Sequence, residues 1–475
     1  MTLTRALSEL AIKTPGVSRD AHRAAQKMTL DALACALAGW NAPGVREVVE
    51  QVRAWGGAEE ATALIHGDRL PAPNAAFANS VMIHALDYDD VYIPGTLHIM
   101  SVVLPAALAA AEMADATGRE LLDAVTLGVE VAARPAVWCK SHNTRAASQA
   151  FLPTSVFGGF GAVAAAARLL GLSVQQTVNA MGLFYAQASG NRQALHDRTL
   201  AKRLQPGVAA RSAMWATALA TRGVTGPAEA LEGEAGLFRA HYECEAPSVE
   251  ELMVERAQWQ IERVSVKRHT SCGACHPALH AAEELHNYED LHPEDMFRIE
   301  VFGHRRGGFV SKPLDLSKNP QVAAQFSVQY CVAYALLRGE QRLEDWTDEA
   351  ILANEDVALL AHSVEFGETP RHLRETPEYP PDDFPPQTAR WQGVTVVTPE
   401  GEELIEADTP AGVFDPDRVS YQDVQEKFRR CAEFAGVCDE ARIEEVLSSI
   451  EDLAGGRKRD PLVSEILEPW WELGE

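Results

Sequence analysis

Residues 81–100 read VMIHALDYDDVYIPGTLHIM, and this stretch constrains the fold more than any other. Four titratable side chains, His84, Asp87, Asp89 and Asp90, fall within seven residues, and His98 follows the Pro94-Gly95 turn. The flanking segments are apolar enough to be buried. A buried carboxylate or imidazole is costly unless it is paired or does chemistry. Two accounts stay open at this point: a polar connection between helices with a capped second helix, or the acid–base part of an active site. Helical spacing from Asn74 to about Tyr88 places His84, Asp87 and Tyr88 on one face at i, i+3 and i+4. Ser101 is the expected N-cap of a helix running to Thr117. His98 then stands just before a helix N-terminus, where the dipole favours an anion.

The rest of the chain reads as mainly α. Leu7–Trp40, broken at Pro15-Gly16, then Pro43–Trp55 and Arg119–Trp138 carry helical periodicity. In Phe151–Leu172 the small residues Gly158, Gly159 and Gly161 allow another helix to approach closely. Ser173–Ser189 is helical. The polar segment Gly190–Pro206 is the densest cationic run, with Arg192, Arg198, Lys202 and Arg203, and Gly207–Gly223 resumes the helix. Beyond Trp259 the texture changes. WQIERVSVKRH, FRIEVFG (297–303) and ARWQGVTVVTPEG (389–401) alternate as strands do, around helical runs at Ala274–Tyr288 and Pro320–Leu337. The Pro-rich residues 374–387 form a surface excursion. Helices return at Tyr421–Phe434 and Asp439–Leu453. At 475 residues the chain exceeds one ordinary core. The expected division is a large all-helical domain over 1–264 and 408–475, with a smaller α+β domain inserted at 265–407.

A formal net charge of −26 argues against nucleic acid or an anionic membrane as partner, and an anionic substrate must be drawn in by local cations. Arg192 and Arg268 are candidate carboxylate ligands, because a guanidinium matches a carboxylate bidentately. No signal peptide and no membrane-spanning segment are legible, and eight scattered cysteines suit a reduced cytoplasmic protein. Cys272-x-x-Cys275-His276 has the spacing of a haem attachment site, but that chemistry requires export. Zinc lacks a second ligand pair at structural-site spacing, and a redox dithiol lacks the surrounding fold. A strand-to-helix turn, with His276-Pro277 opening a helix, is the favoured account.

HALDYDD, a following His and SVVLPAALAAAE together resemble the MmgE/PrpD family of 2-methylcitrate dehydratases and cis-aconitate decarboxylases. PTSVFGGFGAVAAAARLLGL, KRLQPGVAARSA, RGVTGPAEALEG, CGACHPALHAAEE, QFSVQYCVAYALLRG and KFRRCAEFAG extend the resemblance in the right order over nearly the whole chain. It implies a helical domain built from both chain ends, an α+β lid, homodimerisation, and catalysis without cofactor or metal. The implied substrates are small polycarboxylates. Members dehydrate 2-methylcitrate, decarboxylate cis-aconitate or epimerise an iminodisuccinate. The family's active-site residues fall on Asp87, His98, Lys202 and His276. The shared chemistry is proton abstraction beside a carboxylate, which needs a base and preorganised positive charge. In that scheme His98 or His276 moves the proton, Asp87 orients an imidazole and Lys202 clamps a carboxylate. The chain departs from the family pattern in four places. Val91 stands where a threonine is usual, and one extra residue separates Asp87 from His98. Leu152 replaces a second catalytic histidine, and Gln205 replaces the histidine of KxLH. The expected activity is a 2-methylcitrate dehydratase-like lyase. The alternatives are an isomerase using the same base chemistry, a cis-aconitate-type decarboxylase, or a non-catalytic relative.

Overall fold

Alanine and glycine let the helices of this chain lie close together, and that closeness determines where polar side chains can sit. The computed structural model describes residues 1–142, 150–254, 257–288, 292, 296–304, 308–374, 391–454 and 461–470. The chain is mainly α-helical and divides into two units.

The first unit comprises Met1–Arg192, Ala201–Val266 and Pro416–Glu475. At its centre the Pro153–Leu169 helix packs against Met100–Met113, Gly118–His142 and Ala201–Thr221. The Met100–Met113 helix is buried on every side as far as Glu112, as expected of a helix with no polar face. Close approach is concentrated at Gly128 and Gly161. A Cβ on Gly161 would meet the Gly128 carbonyl and stand 2.9 Å from Ala132 Cβ. The Arg19–Gly39 helix packs on Ala72–His84 and, from the far end of the sequence, on Tyr421–Phe434.

The second unit comprises Gln193–Leu200 and Lys267–Asp415. Its four-stranded sheet has the order Val364–Phe366, Arg298–Phe302, Gln392–Val397, Glu403–Asp408, with the first pair parallel and the others antiparallel. The His276–His286 helix packs on the Gln392–Val397 and Glu403–Asp408 strands and on the Val328–Arg338 helix. Leu279, Ala282, Ile299, Val301, Tyr330 and Val396 are among the residues of this core.

Several expectations are corrected. The helix that carries His84 ends there, because Asp87 adopts a left-handed φ of 53°, so Asp87 and Tyr88 do not continue its face. Lys202 is not in a polar loop. It lies in the first turn of Ala201–Thr221, and Pro206 is accommodated in the second turn instead of preceding the helix. WQIERVSVKRH is not a strand: Gln260–Arg263 is a 3₁₀ turn whose Gln260 N–H is bound by Glu130 at 2.6 Å, and only Ser265 bridges to Val91. The run Pro320–Leu337 is two helices, the second capped by the Ser327 hydroxyl. Residues 375–387 of the Pro-rich segment lie outside the described residues. No described helix is long and apolar enough to cross a membrane.

Gly161→Ala should therefore lower stability by about 1–3 kcal/mol, read as a shift in the urea midpoint. An unchanged midpoint would mean that the helices separate at no cost.

Candidate active site

The left-handed turn at Asp87, a conformation that aspartate tolerates better than most residues, begins a loop in which each acidic side chain takes a different partner. Asp87 Oδ1 accepts a hydrogen bond from Lys202 Nζ, and both side chains are buried. The two meet because the Ala201–Thr221 helix packs on Ala72–His84. Asp89 Oδ2 accepts from His84 Nδ1 at 2.7 Å and stands 3.8 Å from His98 Nδ1. The Asp90 carboxylate accepts the N–H groups of Ile99 and Met100 at 2.9 and 3.0 Å. The group at that helix N-terminus is therefore one of the protein's own side chains. Ser101 does not cap the helix, and its hydroxyl donates to the His98 carbonyl instead. Burial beside Asp89 and Asp31 holds the Asp90 carboxyl well above the usual range.

The two imidazoles stand edge to face with ring centroids 5.0 Å apart. His98 Nδ1–H donates to the Asp90 carbonyl at 2.7 Å, which leaves the lone pair of the neutral ring on Nε2. The His98 backbone N–H is held by the Thr154 hydroxyl at 3.0 Å. Its side chain is 18% exposed, whereas His84 is sealed. Burial, with the Lys202 charge, pulls His84 below its ordinary value against the pull of Asp89. His84 is thus neutral near pH 7. Asp89 and the Asp90 carbonyl meet the imidazole Nδ1 atoms, and Asp87 pairs with the lysine.

Donor atoms of His84, Asp87, Asp89 and His98 lie within 4.8 Å of one another, which is the only such group among the described residues. Two imidazoles and two carboxylates suit a divalent cation. Here, however, the Lys202 ammonium already sits on Asp87, and both Nδ1 protons are committed to oxygens. Cys272 and Cys275 are not joined in a disulfide, and Cys275 belongs to the apolar core of the second unit.

His276 opens its helix, with Pro277 next, as the sequence suggests. It is fully buried in the second unit, its Nε2 3.3 Å from the Ser271 carbonyl and its ring 5.1 Å from His269 and 4.9 Å from Phe414. His269 Nδ1 stands 3.4 Å from Glu283 Oε1. Burial pushes the Glu283 carboxyl up to about 8, opposed by Arg268 and assisted by Glu340 and Glu284. Arg268 itself is exposed. Arg192 is half-buried in the first unit, and its charge adds to the burial that lowers Lys140 to about 7. Gln205 binds the Asn191 backbone through both amide atoms, and Leu152 is buried at the start of the Pro153–Leu169 helix. Sequence reasoning saw His84, Asp89 and Asp90 but gave them no role. Their placement between two apolar runs was the available signal.

The model of the MmgE/PrpD N-terminal domain matches residues 4–250, and that of the C-terminal domain matches 269–452. The chain belongs to the MmgE/PrpD family. It is 30% identical to human cis-aconitate decarboxylase over 76% of this chain and 73% of that protein. It is 26% identical to a cis-aconitate decarboxylase-like protein of Aspergillus oryzae, over 93% of this chain and 92% of that one. Cis-aconitate decarboxylase of Aspergillus terreus is 25% identical over 96% of this chain and 93% of its own length. Two of these relatives are named cis-aconitate decarboxylases and the other decarboxylase-like, and none of the three is named a dehydratase.

Glu283 supplies a pH test. Its folded value of about 8 lies above the ordinary 4.5, so its contribution to stability is complete below pH 4.5 and is lost as pH rises towards 8. Glu283→Gln has no carboxyl to ionise. It should gain on the wild type across that window, by on the order of 3–5 kcal/mol at pH 8. Thermal melts of both proteins across the pH range check this, and a pH-independent difference would contradict it.

Proposed function

We propose that the chain is a lyase acting on a small polycarboxylate, with cis-aconitate-type decarboxylation the first reaction to test. One observation carries this: a partly exposed imidazole, held by the Asp90 carbonyl at Nδ1, lies in one cluster with a buried ammonium–carboxylate pair. In decarboxylation the bond to the departing carboxylate breaks and its electron pair moves into the adjoining unsaturated carboxylate. An imidazolium then delivers a proton to carbon. Lys202 supplies positive charge where negative charge develops, a contribution of about 3–4 kcal/mol for one well-aimed donor. Asp89, under the far nitrogen of His98, stabilises the imidazolium between proton uptake and delivery. His276 is retained as a second candidate proton carrier, and Arg192 and Arg268 as candidate carboxylate ligands.

The names of the relatives put loss of CO2 ahead of dehydration, which the same groups would perform by removing a proton beside a carboxylate and protonating the departing hydroxyl. An isomerase is the second reading, favoured by Leu152 standing where the family carries an imidazole. A second acid matters most when a hydroxyl must leave. The role of the α+β unit as a lid, a homodimeric assembly, a cytoplasmic location and independence of cofactors belong to this proposal.

Proton NMR in D2O with EDTA present tests it on cis-aconitate, 2-methylcitrate, citrate and aspartate-derived imines. A new vinyl signal from cis-aconitate supports the decarboxylase, and one from 2-methylcitrate or citrate returns the reading to dehydration. Deuterium at carbon without a new alkene selects the isomerase, and silence across the panel counts against a lyase. With an active substrate, Lys202→Ala should lower kcat by on the order of 10²–10³. Full turnover by that variant would sink the site assignment.

A further inference from the structure

Tyr88 lies between Asp87 and Asp89, and it is held from outside the loop. Lys427, buried on the Tyr421–Phe434 helix, donates to the Tyr88 carbonyl at 2.8 Å, and its Nζ stands 3.7 Å from the centroid of the Tyr88 ring. The same ammonium donates to Asp31 Oδ1 at 2.6 Å, and Asp31 is wholly buried on the Arg19–Gly39 helix. If Lys427 served only to join two helices, the Asp31 pair would suffice. The contacts to the Tyr88 carbonyl and ring are additional, and they fall on the loop that carries the acid–base groups. Four successive residues are thereby fixed: Asp87 by Lys202, Tyr88 by Lys427, Asp89 by His84, and Asp90 by the N–H groups of Ile99 and Met100.

We propose that Lys427 is a positioning residue for the imidazole pair, setting the register in which Asp89 and the Asp90 carbonyl meet His84 and His98. The inference rests on the reading that His98 moves the proton. The charged and titratable groups around Lys427 are Asp31 and Cys35 on the Arg19–Gly39 helix, Tyr88 on the loop and Cys431 on its own helix. Asp31 also feels Asp89 and Lys27. Lys427 is therefore the buried cation shared between Asp31 and the catalytic loop. A lysine buried at that point costs several kcal/mol unless it is fully paired, and the three contacts supply the pairing.

The test is NMR of the full chain carrying ¹⁵N-labelled histidine, with the rings of His84 and His98 assigned from His84→Gln and His98→Gln. In the wild type both rings should show a protonated Nδ1 and an unprotonated Nε2. In Lys427→Met the His98 signals should move to an average of the two tautomers, because the loop loses its hold at Tyr88 and the Asp90 carbonyl shifts in register against the ring. If that variant does not fold, Asp31→Asn/Lys427→Met removes both buried charges together and should show the same change. Either variant, folded and with both rings in the wild-type tautomer, would falsify the proposal. On any substrate the panel identifies, kcat should also fall about tenfold or more with KM less affected, and an unchanged kcat would overturn the proposal. Failure of the lyase reading shows separately, as silence across the substrate panel or a fully active Lys202→Ala protein, while the tautomer result stands by itself.

Discussion

Burying Asp31, Asp87, Asp89 and Asp90 in one helical unit is the constraint on which the rest of the first unit depends. Asp31, Asp87, Asp89 and Asp90 are each at most 3% exposed. An uncompensated buried charge costs several kcal/mol, which is comparable with the net stability of a whole domain. The donors are of three kinds: an ammonium for each of Asp31 and Asp87, an imidazole N–H for Asp89, and a helix N-terminus for Asp90. Each donor reaches its carboxylate from a different helix or helix end. The cluster therefore fixes a single register between the loop and helices that are far apart in sequence, and small residues at Gly128 and Gly161 bring the packed helices around it close together.

That arrangement also separates the two imidazoles by environment. His84 is sealed, donates to Asp89 and is kept neutral, which suits a fixed orienting dipole. His98 is partly exposed, is anchored through its own backbone by Thr154, and has Asp89 behind it. A carboxylate behind an imidazole favours the protonated ring at the moment the opposite nitrogen takes up a proton. With Lys202 brought onto Asp87 from 115 residues away, the loop sets two imidazoles, carboxylates and a positive charge side by side.

Much of this was legible in the sequence. The helical texture and the need for close packing around Gly158–Gly161 followed from periodicity and residue size. The importance of residues 84–98 followed from charges set between apolar runs. The roles within that stretch did not. Helical periodicity carried Asp87 onto the face of His84, but the backbone turns left-handed at Asp87 and gives it to Lys202. Local spacing cannot show that Asp89 serves two rings. Lys427 was visible only as part of the KFRRCAEFAG stretch, since its partners lie 339 and 396 residues away. The Glu403–Asp408 strand went unseen because its residues are half-buried or exposed and carry no alternating pattern.

The departures from the family pattern acquire different meanings once their surroundings are known. Gln205 spends its amide on both backbone groups of Asn191, so it holds the segment next to Arg192 and is not a depleted acid. Leu152 is another matter. It begins the helix whose Thr154 anchors His98, so the scaffold of that imidazole survives while a neighbouring proton carrier is absent. Removing a carrier without disturbing its scaffold narrows the chemistry without abolishing it. Dehydration moves a proton off carbon and another onto the departing oxygen, whereas loss of CO2 asks only for one proton to be delivered to carbon. With Leu152 in place of a second imidazole, the proposed decarboxylation and the isomerase reading both lose less than dehydration does, because neither has to protonate a departing hydroxyl.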